Sequence, residues 1–164
     1  MNHEYKIVDV QNLYAAEHFS VLRSIADFSR HTPSLMSVST VDLLIRPQAF
    51  IAKKAGALVG FVSINRPEVR EGLTWSQVST LAVLPGHENN GIGTALVHNA
   101  TRYIHKLGMH AYALVEQERE QEQETTVLPS FLKNGYELSD FGNYTVVVNC
   151  REPKITTHTN IDAY

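Results

Sequence analysis

The stretch Leu81-Ala82-Val83-Leu84-Pro85-Gly86-His87-Glu88-Asn89-Asn90-Gly91-Ile92-Gly93-Thr94-Ala95-Leu96 decides the architecture. A β-rich run ends at Val83 and Pro85-Gly86 breaks it. A polar loop follows, and a strongly periodic helix opens at Gly91-Ile92-Gly93. A strand–loop–helix of this kind aims several unpaired backbone N–H groups and the positive end of a helix at one spot. That spot suits a phosphate or pyrophosphate. Gly91 and Gly93 allow close backbone approach, and Asn89 and Asn90 tolerate left-handed angles. The loop is not a P-loop, which needs Gly-Lys-Ser/Thr, because no lysine stands between Gly93 and Thr94. Nor is it the dinucleotide GxGxxG, because position 96 is Leu. Taken alone, the segment is also compatible with a turn that merely packs helix on strand.

Working outward, the helix carries a stripe of Ile92, Leu96, Ala100, Tyr103 and Leu107, reinforced by Ala95 and Ile104. Thr94, His98, Thr101 and His105 fall on the other side, and Gly108 suits a left-handed stop. Before it, Leu73 to Val83 reads as a long strand with Trp75, Val78, Leu81 and Val83 as apolar members. Ala49 to Lys53 and Ala57 to Ile64 form a hairpin, and Arg66 to Gly72 reads as a polar connection. Tyr5 to Val10 is a short strand. Helices are expected over Leu13 to Phe28 and Val41 to Ile45, with a Ser/Thr/Pro-rich loop over His31 to Ser39 between them. After the central helix come a strand over Ala111 to Val115 and a short helix over Leu128 to Asn134. Strands over Tyr136 to Phe141 and Tyr144 to Cys150 close the pattern. Strands and helices alternate, which argues for an α/β layer fold with a mixed sheet. One domain over residues 1–150 is expected, with a polar tail over 151–164.

Composition narrows the function classes. The 164 residues carry 14 Lys+Arg against 17 Asp+Glu, a formal charge of −3, so bulk attraction to nucleic acid or anionic membranes is not expected. One cysteine, Cys150, cannot form an internal disulfide, and no Cys/His spacing matches a zinc site; no metal is expected. No apolar run approaches the roughly 18 residues of a membrane span, and no signal-like leader opens the chain. A cytoplasmic location is the expectation.

The Leu-Ala-Val-x-Pro segment followed by Gly-Ile-Gly-x-Ala-Leu resembles the acetyl-CoA-binding segment of the GNAT superfamily of N-acetyltransferases, whose signature is Gln/Arg-x-x-Gly-x-Gly/Ala. Phe131-Leu132-Lys133-Asn134-Gly135-Tyr136 is similar to its second landmark, and Ala57 to Ile64, with its Gly60-Phe61 step, to its third strand. The resemblance spans about Ala49 to Cys150. It implies a GNAT-type mixed, mostly antiparallel sheet with splayed central strands flanked by helices. It also implies acetyl transfer from acetyl-CoA, as co-substrate, to a primary amine: a small cationic amine, a lysine or an N-terminal amine. The transfer would be a direct attack in a ternary complex. By the same resemblance the pyrophosphate sits on Glu88, Asn89, Asn90, Gly91, Ile92, Gly93 and Thr94. The pantetheine arm pairs with Leu81, Ala82 and Val83, and the Val83 N–H faces the thioester oxygen.

The chain departs from the family at several positions. Glu88 replaces Gln or Arg, and Asn89 stands where Gly is common. Phe131 occupies the position of the tyrosine that protonates the departing thiolate, and it is expected to pack against the pantetheine; water or Ser130 would supply the proton. The strand positions that often hold a Glu are Gln77 and Ser79, neither of which titrates, so they would act by holding a water. Glu116 ranks first among ionised candidates for the base. A loop histidine such as His87 is usually only solvated. Five Glu and one Arg fall within residues 116–124, which leaves 12 acidic against 13 basic residues elsewhere. That run is either an acidic lip attracting a cationic amine or a solvated charged segment. The second function class is a degenerate GNAT fold that binds CoA or a partner protein without efficient catalysis. Whether the chain acts alone or as a homodimer is left open.

Overall fold

The computed structural model describes residues 5–10, 48–84, 86–87, 90–116, 128–141 and 144–149. The expected helices over Leu13 to Phe28 and Val41 to Ile45, the loop between them, residues 117–127 and the tail over 151–164 lie outside the described residues. So do Pro85, Glu88, Asn89, the Gly142-Asn143 turn and Cys150. Among the described residues the order is β1 (Tyr5–Val10), β2 (Gln48–Lys54), β3 (Ala57–Ile64), β4 (Glu68–Arg70), β5 (Leu73–Val83) and α1 (Ile92–Lys106). There follow β6 (His110–Glu116), α2 (Leu128–Leu132), β7 (Glu137–Phe141) and β8 (Tyr144–Asn149). No helix among them is long and apolar enough to cross a membrane.

The strands form one sheet in the order β1-β2-β3-β5-β6-β8-β7, with β4 on β5. Every pairing is antiparallel except β5 with β6, which α1 connects. A parallel pair needs such a crossover, whereas hairpins need only two residues. Ala55-Gly56 turns the β2–β3 hairpin and Glu71-Gly72 the β4–β5 hairpin, all four residues at positive φ, the backbone that matches the twist of the flanking strands.

The second hairpin corrects the expectation for Arg66 to Gly72. Its Glu68–Arg70 portion is strand β4, paired through Glu68 with Trp75 and Arg70 with Leu73. Val69 is 73% exposed, so the segment buries neither face and leaves no alternating pattern to read.

One core fills the space between the sheet and α1. Phe50, Ala52, Val62, Ile64, Val78, Leu81, Ala111 and Ala113 meet Ile92, Leu96, Val97, Ala100 and Ile104 of the helix. Burying a large aliphatic side chain contributes about 1.5–3 kcal/mol, so these residues fix α1 against the strands that flank the site. Gly60 permits the contact, since a Cβ there would lie 3.2 Å from both Ile92 Cγ2 and Leu96 Cδ1.

The helix is turned slightly from the expected stripe. Thr101, assigned above to the polar side, is buried and its hydroxyl bonds the Tyr136 hydroxyl at 2.6 Å; Leu107, assigned to the apolar stripe, is exposed. The phenol supplies the partner a buried hydroxyl requires.

The three-residue spacing of Val78 and Leu81 also finds its cause. Ser63 pairs with Thr80 but Ile64 pairs with Val78, leaving Ser79 as an extra residue. This bulge returns Val78, Leu81 and Val83 to the α1 face and puts Trp75 on the opposite one.

Candidate active site

The site begins where the sheet divides. β5 pairs with β6 through Trp75–His110, Ser76–Ala111 and Gln77–Tyr112. Beyond Gln77, β5 stays with β3 through Val78 to Val83, while β6 continues with β8 through Ala113 to Glu116. A gap therefore opens between the C-terminal halves of two neighbouring strands.

Backbone direction along the gap follows from one hydrogen bond. The Leu84 N–H donates to the Val59 carbonyl of β3 at 2.8 Å. Alternation along a strand then turns the N–H groups of Val83 and Leu81 to the other side, into the gap. Ala82 faces β3, so of the three residues expected to pair with pantetheine, two offer donors there. Unpaired backbone groups of this kind need a partner, and a ligand or water must supply it.

The gap leads to the N-terminus of α1. Its first intrahelical bond is Ala95 N–H to Gly91 C=O at 3.0 Å, so the N–H groups of Ile92, Gly93 and Thr94 precede the ladder. Gly91 makes no side-chain cap, and the first turn holds no acidic residue. The positive helix end is therefore left for an anion. Gly91 sits at φ 78°, the left-handed region where other residues are strained. Asn90 is exposed beside it. Glu88 and Asn89 lie outside the described residues.

Gly93 answers to the protein itself. A Cβ there would lie 2.7 Å from Ser130 Oγ of α2 and 3.6 Å from Val83 Cγ2 of β5. The glycine thus lets α2, β5 and the first turn of α1 converge, a role that motif reading alone did not reveal. Two further residues were missed. The Tyr5 hydroxyl of β1 donates to Gly91 C=O at 3.4 Å, and the Asn134 amide bonds the carbonyls of Thr94 and Ser130. Their distance in sequence from the loop hides both.

Gln77 and Ser79 lie on the face of β5 turned away from α1. Asn65 Nδ2 donates to Gln77 Oε1 at 3.0 Å, and the hydroxyls of Ser63 and Ser79 are 3.1 Å apart. Together they make a neutral polar strip where β5 and β6 part. Glu116 closes β6 opposite Tyr144.

Phe131 is 2% exposed and packs edge-on against Tyr136, with ring centroids 5.1 Å apart. Its ring is thus part of the core beside the site. Neither nearby phenol takes over the missing acid. Burial pushes the Tyr136 hydroxyl up to about 12 and Thr101 holds it. Burial also raises Tyr112 to about 12, helped by its hydrogen bond to Glu68. Among the described residues no three His, Cys, Asp or Glu gather as metal ligands.

A mixed sheet split beside an uncapped helix N-terminus is the arrangement of a GNAT-type fold. The chain belongs to the acetyltransferase (GNAT) family, whose model matches residues 8–125. No curated protein matches the sequence. Among solved structures, Arabidopsis thaliana Naa50 in complex with the bisubstrate analogue CoA-Ac-MVNAL matches with a TM-score of 0.65 at 18% identity, over 88% of this chain and 97% of that one. PaiA N-acetyltransferase from Thermoplasma acidophilum in complex with coenzyme A matches with a TM-score of 0.65 at 15% identity, over 89% and 98%. YncA from Salmonella typhimurium, a putative acetyltransferase with its cofactor acetyl-CoA, matches with a TM-score of 0.58 at 15% identity, over 88% and 90%. At these identities the likeness is one of fold.

Proposed function

We propose that the chain transfers an acetyl group from acetyl-CoA to a primary amine by direct attack within a ternary complex. The observation that carries this reading is the gap between β5 and β6, with the Leu81 and Val83 N–H groups turned into it and the uncapped end of α1 beside it. The pantetheine arm would lie along β5 as an added strand. The diphosphate would rest on the N–H groups of residues 88–94, and Phe131 would back the arm from α2.

In the reaction the Val83 N–H donates to the thioester oxygen and stabilises the negative charge that grows there as the amine nitrogen adds. A donor of this kind contributes about 10²–10³-fold in rate. The ammonium gives up its proton to a water held by Gln77 and Ser79, or to Glu116. Collapse breaks the carbon–sulfur bond, and the departing thiolate takes a proton from water or Ser130. A thiolate with a pKa near ~8.5 leaves without a strong acid, so Phe131 in the tyrosine position slows this step without forbidding it. The acceptor is a small cationic amine, a lysine or an N-terminal amine. The peptide analogue bound by the Arabidopsis protein supports keeping peptide amines in that set.

The second reading, CoA binding without efficient turnover, is favoured by the neutral partners of Gln77 and Ser79 and by the core position of Phe131. Thermal-shift and thiol-release measurements separate the two. Acetyl-CoA should raise the melting temperature, and thiol release should then appear with at least one amine of a panel. Binding without release for any amine supports the second reading, and no thermal shift rejects both.

A further inference from the structure

We infer that Asn134 is a positioning residue for the diphosphate-binding turn, acting through the first turn of α1; this rests on the acetyl-CoA reading above. The two hydrogens of one side-chain amide are both engaged. Asn134 Nδ2 donates to Thr94 C=O at 3.0 Å and to Ser130 C=O at 2.7 Å. Thr94 belongs to the turn whose N–H groups precede the helix ladder, and Ser130 belongs to α2. Asn134 therefore fastens the two helices at the point where the turn must hold still. Its own N–H bonds the Phe131 carbonyl at 2.9 Å, so the backbone that carries the amide is itself fixed.

Ser130 completes the arrangement. Its Oγ occupies the space a Cβ at position 93 would fill, 2.7 Å away, and it is buried. The first turn is thus bounded by Ser130 on one side and drawn toward α2 by Asn134. An anion bound by several N–H groups at once gains from donors already held in place, since nothing need be ordered on binding. Without the amide, Thr94 C=O and Ser130 C=O lose a shared donor, and the first turn loses its tie to α2. Weaker holding of the anion should follow, with little effect on the strand contacts made by Leu81 and Val83.

The test compares a ligand that has the diphosphate with one that lacks it. Calorimetry measures Kd for CoA directly and for pantetheine by competition, with wild type, Asn134→Ala and Asn134→Leu, which is close in size, uncharged and lacks both donors. Both variants should raise the CoA Kd roughly tenfold while shifting pantetheine by less than about twofold. An unchanged CoA Kd in a folded variant overturns the inference. So does an equal rise for both ligands, which is the signature of general distortion. If Asn134→Ala does not fold, the same outcomes apply to Asn134→Leu. Failure of CoA to bind wild type at all removes the acetyl-CoA reading, and the inference with it; binding to wild type with unchanged variants removes the inference alone.

Discussion

The two halves of β5 behave as different kinds of strand. Its first residues, Leu73 to Gln77, have β4 on one side and β6 on the other along Trp75, and an aromatic cluster covers them. Trp75 lies 4.8 Å from His110 and 6.2 Å from Tyr112, while the Arg70 guanidinium sits 5.5 Å over the Tyr112 ring and Glu68 accepts the Tyr112 hydroxyl. The second half, Val78 to Val83, pairs with β3 alone and carries small or aliphatic side chains. In the closed half backbone polarity is consumed by neighbouring strands; in the open half Leu81 and Val83 keep donors for a ligand. Pairing stops at the same point where the proposed site begins, and the closed half holds the strands in register up to there.

The largest effect is expected at the open end. Gly91→Glu combines a left-handed backbone position at φ 78° with a carboxylate beside the helix N-terminus. Acetyl-CoA binding should fall by more than about a hundredfold, from strain together with charge repulsion. Titration calorimetry on the folded variant checks this, and wild-type affinity would remove the loop from the site.

A core change that removes one hydroxyl and keeps the ring in place should lower stability far more than binding. Tyr136→Phe removes the 2.6 Å bond to Thr101 and leaves a buried hydroxyl without its phenol, a loss of about 1–3 kcal/mol by denaturant unfolding. The same variant alters the alkaline limb. Burial raises Tyr136 from 10.0 to about 12, so the fold favours the neutral phenol. Its contribution is complete below pH 10 and is lost as pH rises through about 12. Tyr136→Phe should flatten the fall in stability across that window. Tyr112, raised over the same range, keeps part of the slope. An unaltered slope would mean that Tyr136 does not titrate with folding.

These elements also mark what the sequence let through. β3, β5 and α1 were legible because long apolar patterns bury one or both faces, and the observed ends of β1, β3 and β5 match the expected ones. The junction between β5 and α1 was legible from its break and its glycines. β4 was not, because a segment exposed on both faces leaves no hydrophobic period. Thr101 was misassigned because its partner lies 35 residues away, beyond the reach of any helical period. Gly93 was visible as a motif position, but its contact with Ser130 depends on where α2 docks. The departures at Phe131, Gln77 and Ser79 could be seen as letters; their partners Tyr136, Asn65 and Ser63 could not.

The smallest effect belongs to the outer edge of the closed half. Arg70 and Glu68 form an ion pair at 3.0 Å with side chains 63% and 38% exposed. Water screens such a pair, and with its contact over the Tyr112 ring included, Arg70→Ala should change stability by no more than about 1 kcal/mol. Glu68 is different because its strongest partner is the Tyr112 hydroxyl, which, more than Arg70, holds its carboxyl below the ordinary value of 4.5. A lowered carboxylate contributes above the ordinary value and loses that contribution as pH falls through its folded value. Arg70→Ala should therefore leave most of the acid limb intact, whereas Tyr112→Phe should flatten it. Acid titrations of stability for the two variants decide the order. If Arg70→Ala has the larger effect, the cluster is held by charge and not by the phenol, and the closed half of β5 would then be more sensitive to salt than its hydrogen bonds imply.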